Sequence, residues 1–287
     1  MKVDACRSDV VTVAVIVVTY NHKDTIARCL DSIVLQRVDF PIKVYVADDA
    51  STDGTSDIVR EYARRYPTIV PLIREKNMGA VPSCISALKQ ISSEFFNITE
   101  GDDYWCDPEK LKLQVEALRR HPECSCCSHM TEAKDKNGDH MSYIPKKCKG
   151  SYRLFDFMSA PPCHTTSLLY RNFLPSLGER EWSHLTGDGW YTAMALDRGK
   201  MIFLNRLMSV YNVSGEGAWS KLSTEEKAEI HQKTSFLMDQ FFHFKYTRKF
   251  QRQYVPGNPK TLFSIWFPLG RRRLTLKLQM CNKIRKK

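Results

Sequence analysis

Acidic side chains are concentrated in the stretch FFNITEGDDYWCDPEK, which covers residues 95–110. Glu100, Asp102 and Asp103 follow a short apolar run, and carboxylates this close together repel one another unless a cation joins them. Oxygen ligands of this kind suit Mg²⁺ or Mn²⁺, which proteins hold through one or two carboxylates together with phosphate oxygens of a substrate. The residues therefore predict a metal–phosphate site. The alternative is an acidic turn leading into a helix that starts at Pro108.

Four predicted strands alternate with helices in the first hundred residues. The run VVTVAVIVVT at 10–19 is rich in β-branched residues, as in a strand covered on both faces of a parallel sheet. Further strands are predicted at 42–47, 69–73 and 95–99, with amphipathic helical patterns between them. The order βαβαβαβ indicates an α/β fold with a mainly parallel sheet.

Polar residues follow each of these strands. Ligands of parallel sheets bind beyond the carboxyl ends of the strands, so these residues are expected to meet at one edge. They are Thr19, Tyr20, Asn21, Asp48, Asp49, Lys76, Asn77 and the segment 100–103. Neither the glycine-rich dinucleotide fingerprint nor a P-loop is present in the sequence. A diphosphate would therefore be held mainly through a metal, which favours the metal–phosphate site over the acidic turn.

The basic charge of the chain is concentrated in its last part. The formal net charge is +11, yet the segment Lys245–Lys287 contains thirteen Lys and Arg and no Asp or Glu, so the remainder is close to neutral. Apolar and aromatic residues beside these cations predict binding to an anionic membrane surface. An ordinary helix with a solvated basic face is the alternative. Nucleic-acid binding is not expected, since no recognition motif supports it.

The ten cysteines are interpreted as free thiols. Cys29 and Cys84 lie in helical patterns, and Cys124, Cys126 and Cys127 lie in a short apolar run, where cysteine behaves as a small buried hydrophobe. The paired spacing of a zinc site is missing. Neither a signal peptide nor an apolar run of the ~20 residues that a membrane span needs is predicted. We therefore expect a reduced, cytoplasmic protein.

Several motifs, in this order and spacing, resemble an inverting family-2 glycosyltransferase of the GT-A fold. They are VIVVTYN (15–21), YVADDASTDGT (45–55), NMG (77–79) and EGDDYWCDPEKL (100–111). The later segments HTTSLLYR (164–171), TGDGWYTAMAL (186–196) and YNVSGEGAWS (211–220) are similar to bacterial members that build cell-surface polysaccharide. The resemblance implies a GT-A catalytic domain over residues 1–220. A helical, basic C-terminal extension is expected over residues 221–287.

The resemblance also implies a nucleotide pocket. Val18, Thr19 and Tyr20 would line it, with Tyr20 stacked on the uracil or thymine ring. Asp49 would hydrogen-bond the base, and Asn77 would lie beside it.

The chemical roles fall on later residues. The resemblance implies that Asp102 faces the ribose or the water shell of the metal, and that Asp103 ligates Mn²⁺ or Mg²⁺ on the diphosphate. Asp188 falls where the family keeps its catalytic base, although a helix N-cap is an alternative or additional role. Trp190 could stack on the acceptor sugar. His164 is expected to open a strand over HTTS (164–167). It could touch the acceptor or the diphosphate, or could be a hydrogen-bonded core histidine.

The implied reaction is a metal-dependent, inverting transfer of one sugar from a nucleoside-diphosphate sugar to a glycan or lipid-linked glycan. UDP is the expected nucleotide, and the membrane-associated form is expected on the inner face of the cytoplasmic membrane. The sequence lacks the Q-x-x-R-W motif of processive relatives, which favours a single transfer. It also has Tyr211-Asn212-Val213-Ser214 where family members commonly carry Tyr-Arg-x-His. A nucleotidyltransferase and a non-catalytic carbohydrate- or membrane-binding protein remain the alternatives.

Overall fold

The computed structural model describes residues 11–145, 150–157, 163–213 and 222–243. The strands in these ranges are β1 (Val11–Thr19), β2 (Ile42–Asp48), β3 (Ile69–Ile73), β4 (Ser93–Glu100), β5 (Tyr104–Trp105), β6 (Cys124–Asp135), β7 (His140–Ile144), β8 (Ser151–Tyr152), β9 (Leu169–Arg171) and β10 (Lys200–Val213). The α-helices are α1 (Ile26–Val34), α2 (Thr55–Arg65), α3 (Ala80–Leu88), α4 (Lys110–Arg120), α5 (Leu154–Phe157), α6 (Glu179–His184), α7 (Asp188–Arg198) and α8 (Thr224–Phe241).

One sheet carries these strands in the order β3-β2-β1-β4-β9-β6-β10-β5, with β7 paired to β6 and β8 paired to β10. Strand β1 pairs in parallel with β2 and β4, and β2 pairs in parallel with β3. Antiparallel β9 joins this first half to the second, in which β6 and β10 are parallel. The predicted α/β fold with a mainly parallel sheet is confirmed.

The core forms around β1, as its β-branched sequence predicts. Val13, Val15 and Val17 are fully buried, and both neighbouring strands and the helices cover them. Helix α1 contributes Ile26 and Leu30 from one face, at the spacing of a helix packed on a sheet. The central strand is thereby fixed, and with it the position of the loop that follows Thr19.

The sequence suggested a helix that starts at Pro108, but the structure has no helix at that residue. Pro108 and Glu109 form a turn, and α4 begins at Lys110. The Asp107 carboxylate accepts the Glu109 N–H at 2.9 Å, and the Asp107 carbonyl accepts the Lys110 N–H at 3.2 Å. These two bonds close the turn before the helix begins.

His164 does not open a strand either. It precedes a short 3-10 helix at Thr165–Ser167, and β9 starts only at Leu169. The His164 carbonyl accepts the Ser167 N–H at 3.0 Å and the Ser167 hydroxyl at 2.6 Å. These local bonds curl the segment, which the alternating sequence pattern did not reveal.

Two compact units divide the described residues, one with the sheet and α1–α7 and the other with α8. The Ser223 side chain accepts the Glu226 N–H at the start of α8, the capping arrangement that Ser-Thr-Glu-Glu at 223–226 predicts. No helix in the described ranges is both long and apolar enough to cross a membrane. The basic segment 245–287 lies outside those ranges, and the membrane prediction and the boundary at 220 stay predictions.

Candidate active site

The acidic loop after β4 is anchored against the end of β1. The Gly101 N–H donates to the Val18 carbonyl at 2.9 Å, and the Thr25 hydroxyl donates to the Gly101 carbonyl at 3.1 Å. A Cβ at position 101 would lie 2.7 Å from Thr19 Oγ1 and 2.9 Å from His22 Nδ1. Glycine therefore allows the loop to approach β1 closely enough to place the carboxylates that follow.

Strand β10 holds the other side of this loop. The Asn212 N–H donates to Asp103 Oδ1 at 3.1 Å, and the Asn212 side chain donates to the Asp102 carbonyl. Asp102 and Asp103 are only 9% and 1% exposed. Within the described part of the chain, Asp102 Oδ1 and Asp103 Oδ2 have no hydrogen-bond partner. Each of the two aspartates therefore keeps one buried oxygen without a donor.

The electrostatics of Asp103 fit a cation site. Burial, and then repulsion from Glu100 and Asp102, raise the pKa of Asp103 well above its usual value, while the Asn212 N–H and Arg28 oppose the shift. A divalent ion would remove both penalties. The described residues bring together no group of three or more His, Cys, Asp or Glu suited to a metal. An ion here would depend on one or two protein ligands and on substrate oxygens, as Mg²⁺ and Mn²⁺ sites commonly do.

The curled segment after residue 163 docks beside β4. The Thr166 hydroxyl lies 2.6 Å from the Thr99 hydroxyl and accepts the Trp105 indole N–H at 3.2 Å. The Asn97 amide donates to the Leu168 carbonyl at 2.6 Å. Buried polar bonds of this kind fix a backbone segment, and here they hold His164 and Thr165 at the mouth of the sheet.

His164 faces the acidic loop. Its Nδ1 lies 3.6 Å from Asp103 Oδ2, and its ring stacks on Tyr211 with centroids 4.1 Å apart. Burial lowers the pKa of His164 to about 4, against the smaller opposing effect of the Asp188 charge. The imidazole is therefore neutral at physiological pH and has a lone pair to offer.

Asp188 contacts the same segment through Thr165. The Thr165 hydroxyl donates to Asp188 Oδ2 at 2.8 Å, and the Gly189 N–H donates to Asp188 Oδ1 at 2.7 Å. The N-cap of α7 is Gly187 rather than Asp188, which is the first helical residue and is exposed. Consecutive residues 164 and 165 thus contact Asp103 and Asp188 respectively.

The predicted nucleotide residues lie at the ends of β1 and β3. Tyr20 is 44% exposed and Asn77 is exposed, whereas Val18 is half-buried. Thr19 is buried, with its hydroxyl 3.2 Å from His22 Nδ1. These positions leave the Tyr20 ring open to a ligand, and the nucleotide roles stay predictions.

Asp49 is arranged differently. Its carboxylate accepts the Met78 N–H at 3.0 Å, the Gly79 N–H at 2.6 Å and the Ser83 hydroxyl at 2.7 Å. The side chain is 2% exposed. It shapes the loop that carries Asn77, and its predicted contact with the base remains a prediction.

The two residues predicted to contact the acceptor, His164 and Trp190, differ in their surroundings. His164 lies at the mouth of the sheet, whereas Trp190 is 2% exposed and its ring lies 5.3 Å from that of His184. Acceptor stacking by Trp190 stays a prediction. Ser214 lies outside the described residues.

Sequence reasoning missed several residues of this site. His22 places its Nε2 4.0 Å from Asp102 Oδ2, although nothing in its spacing marks it beyond its position just after β1. Thr165 and Asn212 were present in the motifs but had no assigned role. Their contacts depend on the pairing of β10 and on the 3-10 turn, which local patterns do not specify.

Residues 14–175 match the model of the family described as Glycosyl transferase family 2. The chain belongs to this family.

Relatives of this family-2 chain share part of its length. It is 32% identical over 216 residues to the uncharacterized protein Rv1520 of Mycobacterium tuberculosis, a match that covers 75% of the chain and 62% of that protein. It is 32% identical over 119 residues to the putative teichuronic acid biosynthesis glycosyltransferase TuaG of Bacillus subtilis, over 42% of the chain and 45% of TuaG. The chain therefore spans about three fifths of the length of the mycobacterial relative.

Solved structures share the fold of the family-2 chain. S. aureus TarS 1–349 in complex with UDP-GlcNAc superposes with a TM-score of 0.62 at 21% identity, over 90% of the chain and 76% of TarS 1–349. The mannosyltransferase PcManGT from Pyrobaculum calidifontis, in complex with GDP-Man and Mn²⁺, gives 0.53 at 19% identity, over 96% and 83%. These likenesses confirm an α/β fold that resembles GT-A glycosyltransferases.

Proposed function

We propose that the protein is a metal-dependent, inverting glycosyltransferase. It moves one sugar from a nucleoside-diphosphate sugar, expected to be UDP-linked, to a hydroxyl of a glycan or lipid-linked glycan in surface polysaccharide synthesis. The observation that carries this proposal is the link through His164 and Thr165. Asp103 Oδ2 lies 3.6 Å from His164, and Asp188 Oδ2 accepts the Thr165 hydroxyl at 2.8 Å, so a buried unpaired carboxylate and an exposed one share one mouth.

The nucleotide-sugar donor is proposed to bind at the ends of the strands. Tyr20 offers an exposed ring to the base, and Asp103, with Asp102 beside it, would hold Mn²⁺ or Mg²⁺ on the diphosphate. Such an ion stabilises the negative charge that develops on the leaving phosphate. The ligands of the structural neighbours support this donor site, since TarS was solved with UDP-GlcNAc and PcManGT with GDP-Man and Mn²⁺.

The acceptor side depends on Asp188. A sugar hydroxyl is too weak an acid to ionise at pH 7, so a carboxylate within hydrogen-bond reach must accept its proton during attack. Asp188 is exposed, and its orientation is fixed by the Thr165 hydroxyl and the Gly189 N–H. One direct displacement with this geometry inverts the anomeric centre.

The location proposed for this chemistry is the cytoplasm, at the inner face of the membrane. The thirteen cations of segment 245–287 support it, because clustered Lys and Arg bind anionic lipid.

The test starts with binding. Full-length protein is screened by thermal shift against UDP-, GDP- and dTDP-sugars with and without Mn²⁺, and a stabilising pair is then incubated with glycan acceptors. We expect one sugar per acceptor end, with an inverted anomeric configuration by NMR. Pyrophosphate release would indicate a nucleotidyltransferase instead, and ligand binding without any turnover of donor would indicate a binding protein.

Asp188→Asn tests the base. We expect kcat to fall by about 10²–10⁴-fold, because the amide cannot accept the proton, with an unchanged thermal shift from UDP and Mn²⁺. Asp197→Asn is the matched control, since Asp197 is exposed on the same helix. Full activity of Asp188→Asn would reject the assignment.

A further inference from the structure

Two buried polar atoms face each other at the acidic loop without a hydrogen bond between them. His164 Nδ1 and Asp103 Oδ2 are 3.6 Å apart, and neither has a hydrogen-bond partner among the residues that the structure describes. Their side chains are 17% and 0% exposed. Buried polar atoms are nearly always paired in folded proteins, so two that face each other at such a distance need a common explanation.

The separation is too long for a direct hydrogen bond, which would bring nitrogen and oxygen to about 2.9 Å. It is close to the distance between two ligands of one ion. Adjacent ligands of an octahedral ion, each about 2.1 Å from the metal, are about 3.0 Å apart. A small movement of either side chain, or a wider ligand angle, accounts for the difference from 3.6 Å.

The surroundings hold both atoms in place. The His164 ring stacks on Tyr211, and the backbone that follows is fixed through the Thr166 hydroxyl. The other oxygen of Asp103 is engaged by the Asn212 N–H, which leaves Oδ2 as the oxygen directed at His164. The pair is thus positioned before any ligand binds, as a prebuilt metal site requires.

We propose that His164 Nδ1 is a protein ligand of the divalent ion, together with Asp103 Oδ2. The inference rests on the proposed function, because the remaining ligands are diphosphate oxygens and water. A nitrogen ligand also sets the metal preference. Imidazole is a better ligand for first-row transition ions than for Mg²⁺, so this site should bind Mn²⁺ or Co²⁺ more tightly than Mg²⁺.

The experiment detects the nitrogen directly. Full-length protein is loaded with Mn²⁺ and UDP, and pulsed electron paramagnetic resonance records the coupling between Mn²⁺ and directly bound nitrogen. We expect a ¹⁴N coupling that changes to that of ¹⁵N when the protein is made with ¹⁵N-histidine. Wild-type protein without any histidine coupling would overturn the proposal, whatever the variants do.

Variants assign the coupling to one histidine. We expect it to disappear in His164→Ala and to persist in His121→Ala, a matched control whose exposed ring pairs with Glu123. Affinity for Mn²⁺ in the presence of UDP should fall about tenfold or more in His164→Ala, with a much smaller change for Mg²⁺. Coupling that persists in His164→Ala would overturn the proposal.

The outcomes separate this inference from the proposed function. Binding of Mn²⁺ and UDP that needs Asp103 but shows no histidine coupling would contradict the role of His164 and leave the transferase intact. Binding of Mn²⁺ and UDP that is unchanged in Asp103→Asn would contradict both the role of His164 and the proposed metal site of the transferase.

Discussion

Two aspartate pairs lie at the ends of the two strands that flank β1, and they differ in their hydrogen-bond partners. Asp48 and Asp49 end β2, whereas Asp102 and Asp103 follow β4. All four residues are less than 10% exposed. Both Asp48 oxygens accept serine hydroxyls, and the Asp49 oxygens accept two backbone N–H groups and a hydroxyl. The second pair keeps two oxygens without partners in the described structure.

The donors that surround each pair explain the contrast. The first pair accepts hydrogen bonds from the hydroxyls of Ser51, Ser56 and Ser83. Its carboxylates are therefore satisfied by bonds that fix the neighbouring loops. The second pair accepts one backbone N–H, from Asn212, and lies near two histidine rings that donate no hydrogen bond to it. A buried carboxylate with its donors supplied is structural, and one left short of donors is available to a cation.

The largest expected effect comes from Asp103→Asn. Transfer should fall by at least about 10²-fold, because the charge that holds the ion at the diphosphate is lost. The stability of the free protein should not fall, since the variant removes a buried charge with an unpaired oxygen and can keep the bond from the Asn212 N–H. Initial rates measure the loss of transfer, and thermal melts of the same preparations measure the stability.

Asp49→Asn should behave in the opposite way. An amide has one oxygen and cannot accept the three donors that Asp49 accepts, so the free energy of unfolding should fall by about 1–3 kcal/mol. The melting temperature should drop by several degrees, with UDP binding weakened only through the displaced loop. The exposed Asp24 gives the control variant Asp24→Asn. An unchanged melting temperature for Asp49→Asn would contradict the structural role that distinguishes the first aspartate pair from the second.

Gly101→Ala tests whether the second pair depends on close packing at β1. The new Cβ would lie 2.7 Å from Thr19 Oγ1 and 2.9 Å from Thr19 Cβ, and a β-branched side chain has little room to yield. We expect the loop to shift and stability to fall by about 1–3 kcal/mol. Calorimetry should show weaker binding of Mn²⁺ with UDP. Gly150→Ala is the control, because a Cβ there meets no atom within 4 Å; equal behaviour of the two variants would count against this packing role.

Much of the fold could be predicted from local pattern. The bounds predicted for β3, residues 69–73, match the structure at both ends, since its apolar run is set off by turn residues. The start of α4 and the conformation after His164 were wrong. In both places side-chain oxygens of Asp107 and Ser167 bond to nearby backbone and reshape it, a competition that periodicity does not report.

The site was predictable only in part. Acidic residues after strands predicted the two aspartate pairs, but composition alone could not separate them, because deciding donors to Asp49 and Asp103 come from residues 34 and 109 positions away. The contact between His164 and Asp103 spans separate segments and requires the order β4-β9-β6-β10. Long-range pairing of this kind lies beyond any local motif.

The smallest expected effect on activity concerns a buried cation away from the site. Lys110 is fully buried, donates to Gln114 at 3.0 Å and lies 3.9 Å from the centre of the Trp105 ring. No carboxylate among the described residues forms an ion pair with it. Like Asp103, it is buried without an opposite charge, but it has its hydrogen-bond acceptor and lies in the core.

Lys110→Met should therefore change the pH dependence of stability rather than activity. Burial lowers the pKa of Lys110 to about 7, so the unfolded chain binds more protons than the folded one between pH 7 and about 10.4. The penalty is full below pH 7 and fades as the pH rises, so the wild type gains stability relative to the variant across this window, by an amount on the order of a few kcal/mol. Denaturant titrations from pH 6.5 to 10 measure the difference, and Lys112→Met, on the exposed face of the same helix, should show no such slope. Parallel curves for wild type and Lys110→Met would mean that the ammonium keeps its charge in the core, and that burial without a carboxylate does not by itself make a group unstable in this protein.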